Sequence, residues 1–394
     1  MNLETIPDNW DLIIIGGGVT GAGILNQAVR MKLRVLLVEQ NDFGWGTSSR
    51  SSKLIHGGLR YLREGHFLLT REAVRERERL LKEARGLVEP LDFLVPVYKG
   101  RGPGKWILEA GLSIYDLIAY KRQHRFYATS EFFKLSPYLD QKGLVGGFCF
   151  VDARVDDARL VLRLINEAIQ LDGVALNYTK VTRIIKNPQG KVTGILVEDV
   201  ETHVTKTLST RGVINATGAW AEKLHHSPDP NLHMRPLRGS HLVFPSHVLP
   251  VEHAISFIHP TDGRALFVIP WEGAVLVGTT DIDHEEDLSV EPAITEKEVS
   301  YLLEGLKVLF PSFDISLRHC LSSFAGIRPV LSKGDLPPSK ESREHVVWED
   351  NGLVTIAGGK LTTFRKLALD ALKAATSFLP SVKLPDHHDP VFLP

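Results

Sequence analysis

Apolar and polar positions first fall into a clear pattern at Asp11. The stretch DLIIIGGG sets four consecutive apolar residues, three of them Ile, ahead of three glycines. A short uninterrupted apolar run closed by glycine predicts a buried parallel strand entering a tight turn. Residues 21–31 (GAGILNQAVRM) read as a helix and residues 34–39 (RVLLVE) as a second buried strand. The chain therefore begins with a β-α-β unit. After a polar loop over residues 41–53, a long helix is predicted from Phe67 to Val88. Phe67, Val74, Leu81 and Val88 line one side of it, with Leu80, Ala84 and Leu87 beside them. Arg71, Arg75 and Arg79 lie on another side, interleaved with Glu, and read as a solvated face with local ion pairs. The Gly-rich basic stretch KGRGPGK then suggests a linker.

Residues 105–122 (KWILEAGLSIYDLIAYKR) form an apolar helix with basic ends. It suits the roof of a pocket or a core, and its composition is also compatible with an anionic membrane surface. Residues 156–172 open on acidic side chains and continue at helical spacing, as the first turn of a helix should. Strands are expected near 180–185 and 191–198, in RGVINATG, at several places in 241–281, and in GLVTIAGG near 352–359. LTTFRKLALDALKAATSFL is a last helix. The proline-rich end, LPSVKLPDHHDPVFLP, is expected to be loose. No internal repeat or low-complexity segment interrupts this order.

At 394 residues the chain has room for two or three units at about 150 residues each. Lysine and arginine number 46 against 47 acidic residues, so the formal charge is −1. That balance argues against a nucleic-acid binder resting on bulk positive charge, while leaving a local basic pocket open. Cys149 and Cys320 are too few for a disulfide framework, and both read as inert core thiols in a reducing compartment. The first ten residues lack the basic and apolar regions of a signal peptide, and no stretch approaches the roughly 18 apolar residues of a membrane span. The expectation is a soluble cytoplasmic protein, at most peripheral on the inner face of a membrane.

Gly16, Gly18 and Gly21 form G-x-G-x-x-G between the first strand and the first helix. Gly16 permits the tight turn, Gly18 lets a backbone approach a pyrophosphate, and Gly21 lets helix and strand pack closely. The helix N-terminus offers N–H groups to phosphate. Glu39, at the end of the second strand, is placed to accept hydrogen bonds from a ribose, which disfavours a 2′-phosphate. The hydroxyl-rich loop GWGTSSRSSKLIHGG then favours FAD over NAD, because it can lie along a pyrophosphate and a planar ring. Asn215-Ala216-Thr217-Gly218 and Gly358-Gly359-Lys360-Leu361-Thr362-Thr363 close two later strands. The second can aim a helix N-terminus at the reduced ring.

Three cations sit in settings where they are costly to leave unpaired: Arg60 in HGGLRYL, Arg328 in FAGIRPV and Lys360 in AGGKLTT. They read either as an anion pocket beside the cofactor or as three separate ion pairs. His241 in RGSHLVF could take a hydroxyl proton while hydride leaves carbon, and His56 in LIHGG lies nearer the flavin loop. Residue type does not choose between them. His225-His226 and His387-His388 lack a metal-ligand set, so no metal is expected.

SSKLIHGGLRYL, GGKLTTFRK, INATGAW, RGSHLVFP, VGTTD and AGIRPV carry a more specific signal. With DLIIIGGGVTGAGI, VDDARLV and FVIPWEG they resemble the FAD-dependent glycerol-3-phosphate dehydrogenase/oxidase family, within the glutathione-reductase-like and D-amino-acid-oxidase-like flavoproteins. The matches run from residue 11 to about 370. The resemblance implies an α/β fold, a Rossmann-like FAD-binding domain with an inserted α+β substrate domain. It assigns residues 1–77, 148–231 and 325–385 to the first, 78–147 and 232–324 to the second, and leaves 386–394 as a tail.

The resemblance also implies the chemistry: oxidation of sn-glycerol 3-phosphate to dihydroxyacetone phosphate, with hydride passing to non-covalent FAD and electrons to a quinone-type acceptor. An oxidase of a small hydroxy or amino acid, using oxygen, is the alternative. By motif position, His241, Arg328 and Lys360 would be catalytic, and Arg60, Tyr61, Thr280 and Arg343 would hold substrate. The cofactor would meet Gly16, Gly18, Gly21, Glu39, Thr47, Ser48, Ser49, Ser52, Lys53, His56, Gly57, Val181, Thr217, Gly218, Gly359, Leu361 and Thr362. A small phosphorylated alcohol is the implied partner; homo-oligomerisation and peripheral membrane contact are compatible with it. Many members continue into a helical domain of roughly a hundred residues, a usual domain size. This sequence stops just after the last FAD helix, as either a short form or a shortened piece of a longer chain would.

Overall fold

The computed structural model describes residues 3–59, 62, 65–332, 334, 341, 344–386 and 388–393. Leu12–Ile15 is the central strand of a six-stranded sheet, all four residues buried. It runs parallel to Val35–Val38 on one side and to Val213–Asn215 on the other. Val174–Leu176 and Leu353–Gly358 extend the parallel set, and the edge strand His345–Asp350 is antiparallel. Alternation along each strand sends side chains to opposite faces. Leu12 and Ile14 meet Ile24, Leu25, Ala368 and Leu372 from the helices Val19–Arg30 and Phe364–Ala375. Ile13 and Ile15 face Ile195, Val197 and Leu208. Those belong to a four-stranded sheet of Asn9–Trp10, Thr205–Thr210, Val192–Asp199 and Thr179–Lys186. Burial on both faces is why these strands lack an alternating pattern.

A ten-stranded sheet forms the rest. His233–Pro245 is its long inner strand, paired antiparallel with Ala274–Gly278 and, along its length, with Ser322–Ser332. Val88–Tyr98 pairs with Leu144–Val155 in the other half. The helix Glu296–Leu309 covers one face, its N-terminus closed by a reciprocal Thr295–Glu298 capping box.

Several expectations shift. The helix predicted to Val88 ends at Glu83. Gly86, at φ +79°, turns the chain, and Val88 starts an 11-residue strand. The apolar residues 87–98 fit either structure locally, and the partner strand decides. Phe67, expected on the buried side, is exposed. The domain boundaries expected at 148 and 325 fall inside Leu144–Val155 and Ser322–Ser332, because each ladder continues through them. Cys149 and Cys320 are half-buried free thiols rather than core ones, with Cys149 pushed up to about 11 by burial.

The tail is not loose. Val391 and Phe392 are buried in a cluster with Leu80, Leu160, Leu164 and Phe364. Arg30 donates to the Val391 carbonyl at 2.7 Å and also to that of Pro390. The Val391 N–H donates to Glu83 at 2.6 Å and that of Leu393 to Glu167 at 3.2 Å. Proline content predicted disorder, but two apolar side chains and three charged partners hold the segment.

Candidate active site

One cavity of about 1660 Å³ runs between the six-stranded and ten-stranded sheets. That exceeds the roughly 300–1,000 Å³ of a single small-ligand pocket, so a large cofactor and a second molecule fit together. At one end lie Gly16, Gly18, Glu39 and Val181. Gly16 has φ +110°, and a Cβ there would lie 2.7 Å from the Ala216 carbonyl oxygen, so only glycine makes this turn. At Gly18 a Cβ would meet only the Ser48 hydroxyl, at 3.1 Å, on the side open to the cavity. Gly21 does not line the cavity; a Cβ there would lie 1.8 Å from the Gly16 carbonyl oxygen. Its role is close helix–strand packing. Gly18, the residue that caps the helix Val19–Arg30, has no side chain to bond its N–H groups; the Ser48 hydroxyl accepts from Val19 N–H at 2.9 Å, and the helix's positive end faces the cavity that Gly18, Val19 and Thr20 line.

Glu39 accepts from Gly17 N–H at 2.7 Å and Asn41 N–H at 2.8 Å. Burial raises its pKa against the pull of these bonds. Each carboxylate oxygen keeps a second lone pair, which a ribose hydroxyl can use.

The hydroxyl loop divides into two sets. Thr47, Ser48 and Ser52 line the cavity, as do His56, Thr217, Gly218, Gly359, Leu361 and Thr362. Ser49, Lys53 and Gly57 do not. Lys53 is buried and donates to Asp157 at 2.5 Å and to the Ser49 carbonyl at 2.7 Å, bracing the loop on the helix Asp157–Gln170. At Gly57 a Cβ would lie 2.3 Å from the Tyr115 hydroxyl, so packing accounts for this glycine. Thr47 donates to the Ile327 carbonyl, and Thr362 donates to that of His56 at 3.3 Å. These bonds tie segments distant in the chain around one space.

At the other end Arg328 and Lys360 line the same cavity. Arg328 donates to Asp281 at 2.6 Å and to the Thr279 hydroxyl at 2.9 Å. Asp281 also lies 3.5 Å from Arg264, a cavity-lining cation that sequence reasoning missed. The signal for Asp281 was present in VGTTD, since a cation in an apolar strand requires an acid nearby. Thr280 departs from expectation. It is buried away from the cavity, donating to Glu298 at 2.6 Å and accepting from Ser240 N–H at 2.9 Å. Thr280 lies just past the strand Ala274–Gly278, and its bonds to Glu298 and Ser240 hold it inward. Thr279 is the threonine that lines the cavity. Arg60, Tyr61, Arg343 and His387 lie outside the described residues.

Both candidate histidines line this end. His241 is buried, stacked on Phe324 at 4.7 Å, with Nε2 2.9 Å from the Ser52 hydroxyl and Nδ1 without a hydrogen-bond partner among the described residues. His56 is half-buried. Burial, then the charges of Lys360, Arg77 and Arg328, push His56 down to about 3. Burial, then Arg328 and Lys53, do the same to His241, also to about 3. Arg328, Lys360 and both imidazoles line the same cavity. His225, by contrast, is committed to Thr355 at 2.8 Å, away from this cavity.

The family model for FAD dependent oxidoreductases (DAO) matches residues 11–365. The chain belongs to that FAD-dependent oxidoreductase family. Within the family it is 38% identical to the aerobic glycerol-3-phosphate dehydrogenase of Bacillus subtilis (strain 168) over 375 residues, covering 93% of this chain and 67% of that protein. It is 36% identical to the protein of that name from Staphylococcus aureus (strain USA300), covering 92% and 66%. Among solved structures, the glycerol-3-phosphate dehydrogenase of Bacillus halodurans complexed with FAD superposes with a TM-score of 0.78 at 32% identity, over 95% of this chain and 66% of that one. The chain thus spans about two thirds of the length of these relatives. The glycine turn, the carboxylate and a helix N-terminus facing the cavity are all present, so the residues at the first end fit the cofactor.

Proposed function

We propose that this chain binds FAD non-covalently and oxidises sn-glycerol 3-phosphate to dihydroxyacetone phosphate, its electrons then passing to a quinone-type acceptor. One observation carries the reading. A dinucleotide cradle and a cationic end share a single cavity, which two neutral imidazoles also line. The names of the relatives support the substrate class.

FAD, when bound, supplies the acceptor for the two electrons and the hydrogen leaving the substrate carbon. The chain supplies the rest. Arg328 is held by Asp281 and Thr279, which fixes its guanidinium plane and spends two of its nitrogens. The Arg328 guanidinium and the Lys360 ammonium suit the substrate's phosphate, as planar fork and point charge respectively. Arg60, Tyr61 and Arg343 remain proposals from motif position alone. A phosphate dianion arriving here offsets the cations that depress the histidines, so substrate binding itself makes an imidazole a better base. His241 is the proposed proton acceptor for the substrate hydroxyl. His56 is a second candidate. It opens further into the cavity, while the Nε2 of His241 is engaged by Ser52. Apolar walls exclude water and strengthen these charge interactions.

The deciding experiment is anaerobic titration of the purified yellow protein with glycerol 3-phosphate. Bleaching of the flavin is expected. A flavin that stays oxidised with glycerol 3-phosphate but bleaches with small hydroxy or amino acids, releasing peroxide in air, would replace this reading with an oxidase.

A further inference from the structure

His241 is walled in by its own sheet. It lies on the inner strand His233–Pro245, opposite Gly278 on one neighbouring strand and Phe324 on the other. The Phe324 ring stacks on the imidazole with the two planes 12° apart. Gly278 lies so close that a Cβ there would come 2.3 Å from the imidazole Cδ2 and 2.8 Å from Nε2. The residue is 2% exposed. Nδ1 is enclosed and has no hydrogen-bond partner among the described residues. Nε2 meets the Ser52 hydroxyl at 2.9 Å. One nitrogen is thus shut off from the cavity by burial and the other by a serine, and the packed neighbours keep the ring from turning.

Ser52 is the more open of the pair. It is half-buried and lines the cavity. Its hydroxyl makes no second hydrogen bond among the described residues. The residues on either side hold it in place. Ser51 donates to Asp157 from its hydroxyl at 2.6 Å and from its N–H at 3.1 Å, and Lys53 donates to the same carboxylate. Chain pinned on both sides of residue 52 leaves its hydroxyl fixed against the sheet that carries His241. A serine hydroxyl has one proton to give and two lone pairs, so it can donate to Nε2 and still accept from a hydroxyl in the cavity.

We infer that Ser52 is a catalytic residue, which relays the substrate's hydroxyl proton to His241. The inference deepens the reading above and rests on it. With the imidazole's own proton on Nδ1, the Nε2 lone pair accepts from Ser52. As hydride leaves the carbinol carbon for the flavin, the substrate O–H bond breaks and its proton joins Ser52 Oγ. The proton that Ser52 held passes to Nε2. The electron pair of the broken O–H bond becomes the second bond of the ketone. Ser52 ends as it began, and once product has left, the imidazolium returns its proton to water along the same two atoms.

The test uses the FAD-loaded protein in anaerobic stopped flow. Ser52→Ala should lower the limiting rate of flavin reduction by glycerol 3-phosphate about 100-fold, the scale of a lost proton-transfer group. Its FAD content should match the wild type. So should its affinity for propyl phosphate, read from flavin absorbance, because that ligand keeps the phosphate and has no hydroxyl to ionise. The double variant Ser52→Ala/His241→Ala should be within about threefold of the slower single variant, since two members of one path fail together. Single effects that multiply in the double variant put the two residues on separate paths and overturn the proposal. So does a Ser52→Ala rate within about threefold of the wild type, or an unchanged rate in His241→Ala. Loss of FAD or of propyl phosphate binding from Ser52→Ala also overturns it, by making the serine a binding group only. All of these are read against a wild type that bleaches. A wild-type flavin that glycerol 3-phosphate leaves oxidised overturns the reading above and this relay with it, so the two failures are told apart.

Discussion

Replacing Phe392 with alanine should weaken the fold and leave the cofactor cradle intact. Phe392 is 4% exposed and packs among Leu80, Leu160, Leu164 and Phe364, which come from three helices. Truncating such a ring costs about 3–5 kcal/mol when the surroundings cannot close over the gap. Here closure is restrained, because backbone bonds to Glu83 and Glu167 flank the ring on both sides. A second limit applies. The cost cannot exceed the free energy with which the whole segment docks, since beyond that the tail detaches. Deleting residues 386–394 measures that limit directly. Urea unfolding followed by tryptophan fluorescence gives both numbers, as shifts of the midpoint at unchanged slope. Among the described residues of 386–393, none lines the cavity, so FAD content of the folded fraction should not change. If the deletion costs less than about 1 kcal/mol, a scale below any buried aromatic, the tail is not part of the core and the reasoning fails.

Arg328→Ala and Lys360→Ala should each lower kcat/KM for glycerol 3-phosphate by about 10- to 100-fold, the worth of one charge-assisted hydrogen bond, with FAD still bound; steady-state kinetics checks this. His241→Ala should slow flavin reduction in stopped flow at saturating substrate, and full retention of the rate would move the base to His56. Gly21→Ala should abolish FAD binding, seen as colourless protein, because its Cβ would lie 1.8 Å from a backbone oxygen that cannot retreat. Stability should fall between pH 7.5 and 5. His241 and His56 have native values near 3 against an ordinary 6.5, so the unfolded chain binds the protons first as pH drops. Each imidazole then costs about 2 kcal/mol by pH 5. His241→Asn should flatten part of that slope, read from unfolding midpoints across the range.

The glycine turn, Glu39 and the first β-α-β unit were legible because their signal is local. A turn at φ +110° and a four-residue apolar strand leave their marks within thirty residues of chain. Lys360 and Arg328 were suspected because a cation in an apolar run is conspicuous by itself. Whether they met was a different matter. Their positions lie 32 residues apart, Arg328 on a strand of the ten-stranded sheet and Lys360 just past a strand of the six-stranded one, and only packing brings them to one cavity. Thr279 and Thr280 are adjacent, and only the distant Glu298 carboxylate, which binds Thr280, decides which one faces the site. Ser49, Lys53 and Gly57 carry a motif that looks like cofactor contact but serves the loop's own bracing.

The amino-acid order by itself therefore determined the dinucleotide turn, the acid that follows it and the class of α/β fold. Each depends on backbone freedom or on periodicity, which neighbours in sequence settle among themselves. Tertiary structure decided the partner of Arg328, the strand at Val88–Tyr98, the burial of Phe392 and the meeting of Ser52 with His241. Those are outcomes of long-range pairing and burial, where the free energy of a side chain depends on what another part of the chain puts against it.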